Sequence, residues 1–171
     1  KAFIEYFVGE KAQDIIHIQN ESGYFPINEK SREIYEDIRP ELEDIIKNNK
    51  KIVGIGEIGL DYYHNDTNIE LQKFCFLKQL DLAKKLNLPV VIHTREAIQD
   101  TYDILKQYSV NGILHCYSGS LEMAKLFIKQ GFYLGIGGVL TFKNSHLKEV
   151  VTEVPLENLV LETDSPYLSP E

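Results

Sequence analysis

The chain has 171 residues, 43% of them apolar and 26% charged, and a formal net charge of −8. That length and mix suit one folded domain with a sizeable core and exclude a disordered chain. The acidic balance excludes bulk electrostatic attraction to a polyanion, so a nucleic-acid partner has to be held locally, by a metal ion or a few lysines.

The first fifty residues carry the weakest signals. Residues 14–19, Asp14-Ile15-Ile16-His17-Ile18-Gln19, read as a short strand, broken by the Ser22-Gly23-Tyr24-Phe25-Pro26 loop. From Glu29 the apolar spacing of Ile34, Ile38, Leu42, Ile45 and Ile46 is helical, and Pro40 predicts a kink or two separate pieces. From Lys51 the pattern becomes regular. A buried strand over Lys51–Gly56 runs into the carboxylate of Glu57. A helix of about twenty residues follows, with Ile69, Phe74, Leu77, Leu80, Leu82, Ala83 and Leu86 on its apolar side and Asn87-Leu88-Pro89 as its stop.

The strand Val90–His93 comes next, then a helix near Glu96–Tyr108, then the strand Gly112–His115. Ser120 supplies N-cap chemistry for a helix over Leu121–Gln130, which Gly131 closes. A strand at Phe132–Gly135, a short helix near Asn144–Val154 and a last strand at Asn158–Glu162 complete the chain. Cys75 lies in a helical pattern, and Cys116 follows a histidine that ends a strand. The two are far apart and outside any CxxC spacing, which points to a reduced, cytoplasmic setting rather than a disulfide. No run approaches a membrane span, and no signal-peptide pattern stands at Lys1.

Apolar strands alternating with amphipathic helices predict a parallel sheet covered by helices. Four strands end in Glu57, His93, His115 and the Glu162-Thr163-Asp164 run. In such folds the carboxyl ends of the strands share one face, where catalytic residues gather. Singly, each of these residues has a plainer role, as a hydrogen-bonding loop residue or a helix cap. Together, two imidazoles and two carboxylates suit zinc, manganese, iron or magnesium, which activate a water and polarise a carbonyl or phosphoryl oxygen.

The runs GEIGLDYY at Gly56–Tyr63, VIHTREA at Val91–Ala97, LHCYSGS at Leu114–Ser120 and LETDSPYL at Leu161–Leu168 resemble the TatD-like metal-dependent deoxyribonucleases. That family belongs to the amidohydrolase-type metallohydrolases and has a (β/α)8 TIM-barrel fold. The resemblance is strong over residues 51–171 and weak over 1–50. It implies hydrolysis of phosphodiester bonds by a metal-activated water, with single-stranded DNA or DNA ends as substrate and two divalent ions, Zn, Mg or Mn, as cofactors. It assigns Glu57 as the carboxylate shared between the ions and His93 and His115 as ligands of one of them. Asp164 becomes a ligand that also orients or deprotonates the water, and Glu162 a supporting or catalytic acid. Arg95 and Tyr117 are expected to meet a phosphate, and Tyr62 and Tyr63 to stack on a base or sugar, their plainer role being loop packing.

The departures are as specific as the match. The family's first strand carries an H-x-H pair for the second ion, and this sequence has none; His17 stands alone, with Gln19 where a partner histidine would be. The family's G-[IV]-H-P loop corresponds at best to Gly23-Tyr24-Phe25-Pro26, with Phe25 in place of the histidine. A (β/α)8 barrel takes about 250 residues, and roughly six strands are evident here. The expectation is therefore a single, truncated barrel domain over 1–171, holding fewer ions than the family's two. Two other activities stay open: hydrolysis of an ester or amide such as a D-aminoacyl-tRNA, and a catalytically impaired member that binds one metal or only a partner.

Overall fold

The computed structural model describes residues 40–63, 68–165 and 167–170. The expected strand at 14–19, His17 and most of the segment from Glu29 lie outside the described residues. Residues 40–48 are helical (α1). Five strands follow, β1 (Ile55–Asp61), β2 (Val90–Arg95), β3 (Gly112–Leu114), β4 (Phe132–Ile136) and β5 (Leu159–Leu161). Between them lie α2 (Ile69–Leu86), α3 (Ile98–Leu105), α4 (Leu121–Lys129) and α5 (Leu147–Glu153), with short 3-10 turns at Gly138–Thr141 and Leu156–Asn158.

All four strand pairings are parallel, and the spatial order is the sequence order, β1-β2-β3-β4-β5. Each crossover therefore advances one strand in the same direction. Right-handed crossovers of that kind lay every helix on one face, as in the wall of a TIM-type barrel and unlike a doubly wound sheet, whose order reverses.

The register decides which side chains share a face. Ile58 is opposite Ile92, which pairs with Leu114, itself opposite Leu134. Leu60, Ile92, Leu114 and Leu134 are wholly buried. Helix α2 packs Phe76, Leu80 and Ala83 against this layer, each fully buried. The expected apolar side of this helix is thus rotated slightly. Leu77 and Ile69 reach solvent, Phe76 takes the central place, and the Lys78 ammonium covers the ring of Phe74 from outside at 5.4 Å. Edge-to-face contacts from Tyr102 to Phe127 and from Phe127 to Phe132 tie α3, α4 and β4 together.

The helix ends follow the sequence chemistry. The Asn68 side chain accepts from the Leu71 N–H, Ser120 accepts from the Met123 N–H, and Asn87 closes α2 in the left-handed conformation at φ 52°.

Two strands run further than the sequence predicts. Strand β1 passes through Glu57 to Asp61, and β2 passes through His93 to Arg95, because the pairs Gly59–His93, Leu60–Thr94 and Asp61–Arg95 prolong the ladder. Gly59 permits this: at φ 147° a Cβ there would lie 1.9 Å from the His93 carbonyl oxygen.

Candidate metal centre at the strand ends

Period-two alternation places Gly59 and Asp61 of β1 on the same face as His93 and Arg95 of β2. On β3 and β4 the same face continues through Ile113 opposite Val91 and Tyr133 opposite Ile113. One step past β3, His115 joins it, its N–H bonded to the Ile92 carbonyl. Glu162 follows β5, its own N–H bonded to the Ile136 carbonyl. This face, opposite the helices, carries the polar side chains.

The side chains meet in a chain of histidine–carboxylate contacts. His93 Nδ1 lies 3.0 Å from Glu57 Oε1, and its Nε2 lies 3.0 Å from Asp61 Oδ2. His115 Nδ1 lies 2.6 Å from Glu162 Oε2. On the other side of that ring, Nε2 faces Glu57 Oε1 at 3.9 Å and Asp164 Oδ1 at 3.6 Å. Glu162 is anchored a second time by the Cys116 N–H. Gly135 makes room for it, since a Cβ there would stand 2.4 Å from Glu162 Oε1.

The fields of these groups reinforce one another. The hydrogen bond to Glu162 pushes His115 up to about 9; burial opposes it, and the charges of Glu57, Glu162 and Asp164 add to it. Burial alone would lower His93, but the hydrogen bonds and charges of Glu57 and Asp61 outweigh it and raise the ring above its ordinary value. Burial would raise Glu57, yet the His93 hydrogen bond and the His115 and His93 charges hold it below the usual glutamate value. Burial, with the charges of Glu162, Asp164 and Glu57 behind it, pushes the Cys116 thiol up to about 11. A protonated thiol is a poor nucleophile. Neither cysteine is part of a disulfide.

Among the described residues no group of three or more His, Cys, Asp or Glu side chains is already drawn together as an ion cage. The donor set nevertheless fits a divalent ion. By formal charge, Glu57, Asp61, Glu162 and Asp164 outnumber the two imidazoles even when both rings are protonated. Donors around one ion stand roughly 3–3.5 Å apart at bond lengths of about 2.0–2.2 Å. His115 Nε2 faces Glu57 Oε1 at 3.9 Å and Asp164 Oδ1 at 3.6 Å, slightly beyond that spacing.

The aromatic residues divide. Tyr63, half-exposed, carries the Arg95 guanidinium over its ring at 3.6 Å. Tyr62 packs on the core, and its hydroxyl donates to Asp100 Oδ2 at 2.8 Å, where Lys73 also binds at 2.7 Å. Tyr117 is 1% exposed, and its hydroxyl donates to the Ser120 carbonyl at 2.6 Å. Tyr117 therefore has the place of a core residue rather than of a phosphate contact; the helix start at Ser120 turns it inward. Asp61 is the residue that sequence reasoning missed. Its signal is the spacing from Glu57, two steps of the strand alternation, in a stretch beyond the strand that the sequence predicts to end at Gly56.

Parallel strands in sequence order, with imidazoles and carboxylates gathered at their carboxyl ends, are the arrangement of a TIM-barrel-type fold. The chain belongs to the TatD-related DNase family, whose model matches residues 12–171. It is 47% identical over 126 residues to the uncharacterized metal-dependent hydrolase YabD of Bacillus subtilis, covering 71% of this chain and 49% of that protein. It is 36% identical over 152 residues to the uncharacterized metal-dependent hydrolase YcfH of Escherichia coli, covering 86% of this chain and 56% of that one. The crystal structure of YjjV, a TatD homolog from Escherichia coli, superposes with a TM-score of 0.73 at 34% identity, covering 77% of this chain and 52% of that one. These likenesses bear out the TatD family and the TIM-barrel-type fold, present here in part. The chain spans about half the length of the curated relatives it matches. Among the described residues no helix is long and apolar enough to cross a membrane.

Proposed function

We propose that this chain forms part of a divalent-metal hydrolase site that cleaves phosphodiester bonds in DNA. The observation that carries the reading is His115 Nε2 facing Glu57 and Asp164 while its Nδ1 is held by Glu162. Glu57, His93, His115 and Asp164 would hold the ion, which when bound lowers the pKa of water and polarises a phosphoryl oxygen. Asp164, nearly half exposed, accepts the proton of the attacking water at the oxygen the ion leaves open and returns it toward the leaving oxygen. Arg95, stacked on Tyr63 at the same strand ends, offers positive charge to a phosphate and an aromatic face to a base. The family description supports a DNA substrate. Zinc, magnesium and manganese all suit this mixed set, and the residues named here account for one ion. Cys75 and Cys116, not joined by a disulfide, accord with a reduced, cytoplasmic location.

The test is metal-dependent release of nucleotides from single-stranded DNA, expected to disappear in Asp164→Asn; full activity in that variant would overturn the mechanism. The net charge of −8 favours one second reading, an ester or amide substrate without a polyanionic backbone. A panel of phosphodiester, ester and cyclic amide substrates against one preparation separates the two.

A further inference from the structure

Each imidazole of the site is held at one nitrogen by a carboxylate outside the set facing Nε2 of His115, and the held nitrogens differ. His93 is held at Nε2 by Asp61 and turns Nδ1 to Glu57; His115 is held at Nδ1 by Glu162 and turns Nε2 to Glu57 and Asp164. A neutral imidazole has a single N–H, and an ionised carboxylate can only accept. When each ring gives up one proton to take a cation, the proton that stays is the one a fixed carboxylate accepts. The lone pair then lies on Nδ1 in one ring and Nε2 in the other, and both aim at Glu57 Oε1.

Asp61 is built for that task. It is 7% exposed, and its second oxygen accepts the Tyr63 N–H at 2.9 Å. The Gln72 side chain pins its backbone from both sides, accepting the Asp61 N–H at 2.8 Å and donating to the Asp61 carbonyl at 2.7 Å. A carboxylate anchored this way cannot follow a turning ring. We propose that Asp61 and Glu162 are a matched pair of positioning residues that impose opposite tautomers on His93 and His115, so that one ion is approached by Nδ1 of the first and Nε2 of the second. This inference rests on the metal-centre reading above.

The test is zinc titration of the 171-residue chain by calorimetry, with long-range 15N–1H NMR of the imidazoles in the zinc-loaded protein. The unaltered chain should show an Nε2–H on His93 and an Nδ1–H on His115. Asp61→Asn should bind zinc about 10–100-fold more weakly and lose the single His93 pattern while His115 keeps its own. Glu162→Gln should do the converse. If far-UV circular dichroism shows Asp61→Asn unfolded, Asp61→Ser takes its place. Wild-type zinc affinity with an unchanged His93 Nε2–H in the folded Asp61 variant would overturn the pairing. An unaltered chain that binds no zinc would instead overturn the metal-centre reading.

Discussion

His115 Nδ1 and Glu162 Oε2 stand 2.6 Å apart across 47 residues of chain, joining the end of β3 to the end of β5 over the top of β4. The contact exists because the β4 residue beneath it, Gly135, has no side chain. Gly135→Ala should therefore displace Glu162 and release His115. The expected cost is about 1–3 kcal/mol of stability, as for other overpacked sites, with zinc binding roughly 10-fold weaker. Chemical denaturation and zinc calorimetry measure the two effects separately.

Glu57 is the carboxylate that both histidines face. Glu57→Gln keeps the volume and removes the charge. Divalent-metal affinity should fall by more than the roughly 100-fold that loss of an outer hydrogen-bonding partner costs. Metal content after gel filtration, read by atomic emission, checks it; unchanged content would remove Glu57 from the ligand set.

The metal-free protein should lose stability as it becomes alkaline. His115 titrates near 9 in the folded state and near 6.5 when unfolded. A raised folded pKa makes its contribution complete below about 6.5 and removes it as pH rises through about 9. Thermal melts of the metal-free chain between pH 6 and 10 should show that decline. Saturating divalent metal should reverse it, because a neutral ring binds the ion, and proton release on binding at pH 7.5 should vanish above pH 10.

Tyr117 and Tyr63 should behave oppositely. Tyr117→Phe removes a buried hydrogen bond to the Ser120 carbonyl and should cost about 1 kcal/mol of stability with KM unchanged. Tyr63→Ala removes the surface on which Arg95 rests and should raise KM for single-stranded DNA with little change in melting temperature. A KM effect in Tyr117→Phe would restore it as a substrate contact.

The alternation of apolar runs and amphipathic stretches from Lys51 onward determined the parallel β/α order, and the polar residues closing those runs determined which side chains could meet. Those are local properties, written in period and spacing, and Glu57, His93, His115 and Asp164 were legible from them. Only the tertiary structure decided where the strands stop, because ladder pairing with β2 carries β1 past Glu57 to Asp61. It also turned Tyr117 inward, since packing against the helix start at Ser120 outweighs the exposure its loop-like neighbours imply. And it alone decided which nitrogen of each histidine is held, because that choice depends on carboxylates 32 and 47 residues away, brought within hydrogen-bond reach by register and by glycines that leave space.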